Sequence, residues 1–191
     1  MFVTAHIFQF PFFCLKIYSM NNYEIINIKA EHIALDIYKI TKEIPSSIIS
    51  LVKWVEEAFD VKIGSISYTA NLSNGHSGLV YFDPATQTYK IWLNAKEPEF
   101  RQRFTLCHEI AHIIRNKDLK YGLSDGDIYS KWGEERFCNR FAAAYLMPAE
   151  LFIQKWRTVK EPIFLKKARL SSLFKVSGEA VYIRAQELKL V

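Results

Sequence analysis

The sequence contains little cysteine, with only Cys14, Cys107 and Cys138 among its 191 residues. An odd number of widely spaced cysteines does not form a disulfide framework of the kind found in small secreted domains. We therefore expect a protein of the reducing cytoplasm, whose stability comes from a packed core rather than from cross-links.

The chain also lacks a strong excess of charge of one sign. Its formal net charge is +5, and the 25 lysines and arginines are spread along the chain. Basic pairs such as Lys166-Lys167 are typical of solvated faces rather than of a nucleic-acid footprint. The break at 174–178 could be the turn of a helix-turn-helix, but Arg184 is the one basic residue on its second helix. We expect no direct binding of nucleic acid.

No hydrophobic run is long enough to cross a membrane. The aromatic first nineteen residues are interrupted by polar residues and a proline, and they lack the charged start and cleavage site of a signal peptide. Because Met20 would be a natural alternative start, we expect 1–22 to be an N-terminal extension outside the fold. A peripheral membrane anchor is the less favoured alternative.

The composition that remains is that of a globular domain, with 50% hydrophobic and 15% aromatic residues. Apolar spacings of three and four predict helices over 30–44, 46–59, 97–116 and 130–147, and a helical remainder. Alternating segments predict strands at 61–68, 79–82 and 89–93. The prediction is an α+β fold with a small, mainly antiparallel sheet, a catalytic domain over 23–148 and a C-terminal helical subdomain over 149–191.

A short motif on the 97–116 helix carries the chemistry. His108 and His112 frame Glu109 in the pattern H-E-x-x-H. Positions i and i+4 share one face of a helix, so both imidazoles can bind the same zinc ion. Glu109 is rotated away from both, and it can contact a water molecule beside the ion. Two histidines satisfied inside a core are the structural alternative.

A catalytic zinc site needs a third protein ligand. No histidine follows His112, which excludes a third histidine ligand of the metzincin type downstream and indicates a carboxylate on a later helix. We favour Glu135, because Asn139 lies one turn further on and its amide could hold a ligand in place. On this interpretation Glu134 points elsewhere. Both glutamates could instead simply favour a helix N-terminus.

Three further sets of residues are weaker candidates for the site. Asp125 and Asp127 could supply a metal ligand from the loop before the 130–147 helix. An oxyanion donor is also expected, and His76, in a glycine-bracketed loop, is the first choice before Tyr121 and Tyr129. An exposed loop histidine without a catalytic role is the alternative for His76.

Three segments resemble one known family. RQRFTLCHEIAH at 101–112 is similar to the RxRFTxAHExxH signature of the ImmA/IrrE metallo-endopeptidases, and ERFCNRFAAAYLMP at 135–148 is similar to their ExxANxFAxxLLMP helix. LFKVSGEAVYIRAQEL at 173–188 resembles their C-terminal FxVSxxAVxxRLxxLGL stretch. The likeness extends from about residue 33 to the C-terminus.

The resemblance implies a zincin-type fold that binds Zn²⁺. It implies that His108, His112 and Glu135 are the zinc ligands, with Glu109 as the catalytic base. It also implies that the chain cleaves a helix-turn-helix repressor or antitoxin, and we expect such a peptide to bind in an extended form along a sheet edge. The alternative is a regulator that binds its repressor or antitoxin without cutting it and uses zinc structurally.

The chain departs from the family pattern at two positions beside the proposed ligands. Cys107 and Cys138 stand where the family has alanine. Small buried residues at a helix contact are the simpler interpretation. A redox-sensitive pair that distorts the site when oxidised is the alternative.

Overall fold

A computed structural model of the chain describes residues 22–72, 75–117 and 131–191. Within these ranges it contains seven helices and three strands. In chain order the elements are α1 (Asn22–Thr41), α2 (Ile48–Phe59), β1 (Ile63–Thr69), β2 (Gly78–Asp83), β3 (Thr88–Asn94), α3 (Glu99–Lys117), α4 (Lys131–Leu146), α5 (Ala149–Thr158), α6 (Ile163–Phe174) and α7 (Gly178–Glu187). The mixed α+β class is confirmed.

The three strands form one sheet in the order β1-β3-β2. β2 and β3 are an antiparallel hairpin joined by a turn after Asp83, whereas β1 runs parallel to β3. The expectation of a mainly antiparallel sheet is therefore wrong, because one of the two strand pairings is parallel. Alternation of side chains predicts which residues face the core, but it does not predict the direction of a strand's neighbour.

The core lies between α1, α4 and α3. Buried apolar residues on α1 recur every three or four positions, which is the periodicity of one helix face. They are Ile26, Ala30, Ile33, Ala34 and Ile37. This face packs against α4, whose Phe137, Phe141 and Tyr145 rings stack along the helix and are fully buried. The packing holds α4 firmly where it meets α3.

A buried ionic cluster joins the C-terminal helix to the rest of the fold. The fully buried Arg184 on α7 forms two bonds with the Glu31 carboxylate on α1, at 2.5 and 2.9 Å, and donates to the Met147 carbonyl. Arg140 on α4 contacts both Glu31 and Glu187. Two arginines and two glutamates thus neutralise one another where α1, α4 and α7 meet.

None of the helices in the described ranges is long and apolar enough to cross a bilayer. The expected N-terminal extension falls almost entirely outside those ranges. The division into 23–148 and 149–191 stays a prediction, although the Arg184 cluster bridges the two parts.

We expect Glu31→Gln to destabilise the protein by about 3–5 kcal/mol at neutral pH, because Arg184 would lose its carboxylate inside the protein. Burial raises the pKa of Glu31, but bonds to Arg184 and then Arg140 outweigh it and lower this pKa below 4.5 overall. The stabilisation that the Glu31 carboxylate provides is therefore complete above pH 4.5, and it is lost as the pH falls through the pKa of Glu31 in the folded state.

The cost of Glu31→Gln should accordingly shrink in acid. Urea unfolding at neutral pH and below 4.5 measures it, with the exposed Glu150→Gln as the control that changes stability by less than about 0.5 kcal/mol. An equal cost at both pH values would contradict the role given to the Glu31 charge.

Candidate metal centre

Two imidazoles of α3 converge on one point. His108 and His112 lie one helical turn apart, and their Nε2 atoms are 3.2 Å apart. Both side chains are 15% exposed, at the floor of a cleft. Since two nitrogens bound to one tetrahedral ion at about 2.0–2.1 Å lie roughly 3.4 Å apart, this pair is spaced as two ligands of one metal would be.

Helix α4 brings Glu135 to the same point. One Glu135 carboxylate oxygen lies 3.4 Å from Nε2 of His108, and the other lies 3.8 Å from Nε2 of His112. Its side chain is 47% exposed, so the carboxylate approaches from the open side of the cleft. Two imidazole nitrogens and a carboxylate are a donor set that fits a catalytic divalent metal ion.

The outer nitrogen of each imidazole has its own partner on α4. His108 Nδ1 lies 3.1 Å from the amide oxygen of Asn139, as the sequence interpretation anticipated. His112 Nδ1 lies 3.0 Å from the Glu134 carboxylate, which also forms an ion pair with Arg115 at 2.5 Å. The expectation that Glu134 points elsewhere is therefore wrong.

These partners fix the orientation of both histidines. A hydrogen-bond acceptor at Nδ1 favours the tautomer that carries its proton there and leaves Nε2 free to bind an ion. Burial lowers the pKa of His108, and the neighbouring His112 lowers it further, so the neutral imidazole is favoured. The contact between Glu134 and His112 was not predicted from the sequence. The signal that could have indicated it is the pair of consecutive glutamates, Glu134 and Glu135, at the start of a helix.

Glu109 lies beside the histidines but beneath β2. It is only 8% exposed, and the Val80 backbone donates a hydrogen bond to it. Burial raises the pKa of Glu109 to about 7, against the opposing effect of His112. A carboxyl group with this pKa can both accept and return a proton near neutral pH.

Gly78 allows β2 to pass this close to α3. A Cβ atom at this position would lie 2.5 Å from the methyl group of Thr105 and 2.9 Å from a carboxylate oxygen of Glu109. A side chain there would therefore displace the strand or the carboxylate. Glycine is required at position 78 because the backbone of β2 passes close to the buried Glu109 side chain. No local sequence pattern reveals this contact between distant segments.

The cleft over the histidines has a volume of about 610 Å³. His76, Ser77 and the start of β2 form one wall, and the Glu135 face of α4 forms another. His76 is therefore at the cleft, and it is exposed. The other candidates, Asp125, Asp127, Tyr121 and Tyr129, lie outside the described residues.

A second cavity of about 850 Å³ continues from the cleft towards α7. The two cavities share four lining residues, Arg101, Phe104, Glu135 and Asn139. Its apolar lining includes Ala143 and Met147 of the α4 side and Ile183 of α7, which is 47% exposed. We call this cavity the α7 groove.

Neither buried cysteine forms a disulfide. Cys107 and Cys138 are both fully buried on α3 and α4. Burial raises the pKa of the Cys107 thiol to about 12, and it also raises the pKa of Cys138. Both thiols are therefore protonated in the absence of a metal ion, which is the state of a small buried residue rather than of a reactive nucleophile.

Comparison with known proteins assigns the fold to a family. The model of the IrrE N-terminal-like domain, a peptidase family, matches residues 56–186, more than half of the chain. The chain belongs to this family. The match includes the α3 and α4 residues that form the centre, and it extends across the predicted boundary at 148.

Two relatives give the likeness in detail. The chain is 43% identical over 75 residues to the radiation response metalloprotease IrrE of Deinococcus deserti. The matched segment covers 37% of this chain and 26% of that protein. It is similar in fold to a Mycobacterium tuberculosis transcriptional regulator, with a TM-score of 0.56 and 16% identity over 85% of this chain and 50% of that one. The chain thus spans about a quarter of the length of the Deinococcus protein and half of the length of the Mycobacterium protein.

We expect Asn139→Ala and Glu134→Ala each to weaken metal binding by about 10- to 100-fold, because each removes the partner that orients one imidazole. Competition with a chromophoric chelator measures the affinity for Zn²⁺. Gln154→Ala on α5, an exposed amide, is the control and should leave it unchanged. Unchanged Zn²⁺ affinity in both α4 variants would show that these hydrogen bonds do not orient the histidines for metal binding.

Proposed function

We propose that the chain is a zinc-dependent endopeptidase that cleaves a helix-turn-helix repressor or antitoxin and so relieves repression. The observation that carries the proposal is the meeting of three donor side chains beside a buried Glu109 in an open cleft. Membership of a peptidase family supports the reaction class. A DNA-binding regulator as the target places the reaction in the cytoplasm.

His108, His112 and Glu135 would hold the ion. When bound, zinc supplies a Lewis acid that polarises a peptide carbonyl and lowers the pKa of water to roughly 7. Asn139 and Glu134 would not touch the ion; they hold the two imidazoles through their outer ring nitrogens. All three residues that would hold the ion line the cleft, so a substrate could reach it there.

Glu109 is the general base in this proposal. Its carboxylate lies next to the histidines, screened from solvent by the backbone of β2. It accepts a proton from the attacking water and returns it to the leaving nitrogen, so no covalent intermediate with the enzyme is required. The bond from the Val80 backbone helps to keep the carboxylate in place.

The substrate would lie along β2. This strand is at the edge of the sheet, and Leu79 and Val80 line the cleft. An extended peptide can pair with the free side of such an edge, which brings its backbone over the histidines. His76 immediately precedes the strand at the same wall, and we propose it as the oxyanion donor.

The α7 groove would take side chains on one side of the cleaved bond. It opens directly from the cleft and exposes Ile183 beside Ala143 and Met147. Much of the remaining lining is charged or polar, as with Arg140 and Glu187, so this patch is the part that suits an apolar substrate side chain, whose burial contributes about 1.5–3 kcal/mol. C-terminal residues would then contribute to specificity.

We expect Glu109→Gln to lower the cleavage rate roughly 10²- to 10⁴-fold while Zn²⁺ affinity stays within a few-fold. The amide keeps the shape of the side chain but cannot accept the proton. The assay incubates the chain with candidate helix-turn-helix proteins, chosen first from any that neighbouring genes encode, and detects the fragments by mass spectrometry. If Glu109→Gln still relieves repression fully, the non-proteolytic regulator is the correct function.

We expect Ile183→Asp to lower kcat/KM about tenfold, or about 1.4 kcal/mol, by placing a charge in the α7 groove. Ile163→Asp on α6 is the matched control, because Ile163 is equally exposed, at 46%, but lies away from the groove. Equal rates for the two variants would exclude the groove from substrate binding. Metal affinity should be unchanged in both.

A further inference from the structure

A fourth potential donor lies beside the histidine pair. The sulfur of Cys138 and the ligand nitrogens of His108 and His112 all lie within 4.8 Å of one another. Cys138 is three residues after Glu135 on α4, so the two side chains project from neighbouring positions on one helix. The thiol and the carboxylate therefore each lie close to the same pair of imidazoles.

The thiol and the carboxylate differ in their exposure. The Glu135 side chain is 47% exposed, the two imidazoles are 15% exposed, and Cys138 is fully buried. The imidazole pair thus has a more exposed carboxylate and a buried thiol as neighbours. An ion held by the two histidines would have two possible third ligands, one at the cleft and one in the interior.

The distance is compatible with binding to one ion. With metal–sulfur and metal–nitrogen bonds of about 2.3 and 2.05 Å, a sulfur and a nitrogen on one tetrahedral zinc lie roughly 3.6 Å apart. The sulfur would have to move by at most about 1.2 Å. A small movement of the cysteine and histidine side chains is enough for this, with α4 held in place.

We propose that Cys138 is an alternative third ligand, so that this chain can hold a soft divalent ion through His108, His112 and Cys138 as well as through the set that includes Glu135. This inference rests on the proposed metal centre and adds a ligand to it. The sulfur–metal bond forms as the S–H bond breaks, the proton passes to solvent, and no oxidant takes part.

A thiol ligand would change which ions the centre prefers, and a small buried residue at position 138 would not. Thiolate is a softer ligand than carboxylate, and it favours Zn²⁺ and Cd²⁺ over hard ions. An ion drawn to the interior side would stand further from the Glu135 carboxylate at the cleft. The centre would therefore retain zinc when Glu135 is lost, which the two histidines alone would not do.

The test compares Zn²⁺ affinity among four proteins, the wild-type chain, Glu135→Ala, Cys138→Ala and the double variant. We expect Glu135→Ala to lose about tenfold and the double variant to lose at least a further hundredfold. Cys107→Ala is the matched control, since Cys107 is also fully buried beside a histidine ligand, and its affinity should equal that of the wild-type chain.

A spectroscopic readout identifies the ligand directly. Co²⁺-loaded Glu135→Ala should show a near-ultraviolet thiolate-to-cobalt absorption band that is retained in Glu135→Ala/Cys107→Ala. The band should be absent from the Glu135→Ala/Cys138→Ala double variant. Cys138→Ser, which keeps the side-chain volume, replaces Cys138→Ala if circular dichroism shows that the alanine variant is unfolded.

The outcomes separate this inference from the proposed function. If Glu135→Ala and the double variant bind Zn²⁺ equally weakly and neither shows the band, the thiol ligand is overturned while the centre with Glu135 stands. If the wild-type chain binds no Zn²⁺, both are overturned. If metal binds as proposed but Glu109→Gln cleaves normally, only the peptidase mechanism fails.

Discussion

The packing of α4 against α3 is the constraint on which the rest of the structure depends. Every side chain of the centre comes from one of these two helices, and the donor atoms on opposite helices are separated by less than 4 Å. A displacement of one helix by an ångström would separate the carboxylate from the imidazoles. The stacked rings of α4, its packing against α1 and the buried Arg184 cluster all serve to prevent that displacement.

The centre also depends on the close approach of β2 to α3. This approach buries Glu109 next to the histidines and raises its pKa, and it leaves the free edge of the sheet facing the cleft. A glycine at position 78 is what allows it. Helices α3 and α4 and strand β2 therefore bring together a cluster of potential metal ligands, a buried carboxyl group and an edge of the sheet. The grouping is the reason that an endopeptidase is a better proposal than a structural metal site.

Much of the centre could be predicted because its geometry is local. The spacing of His108 and His112 is a property of any helix, so their convergence required no tertiary information. Glu135 and Asn139 were predicted by the same one-turn argument on a second helix. Glu134 was not, because its role arises from the neighbouring helix: only the position of α3 shows that His112 and Arg115 lie within its reach.

The sequence by itself determined the order of helices and strands, the histidine pair and the family, since these depend on residue spacing along a single segment. It did not determine the bounds of α1, which was predicted over 30–44 and spans Asn22–Thr41. Tertiary structure alone decided the parallel pairing of β1, the ionic cluster around Arg184, the groove beside α7 and the proximity of the Cys138 sulfur to the histidines. Each of these is a contact between residues far apart in the chain. Their distances are set by the packing of whole elements, which no local periodicity encodes.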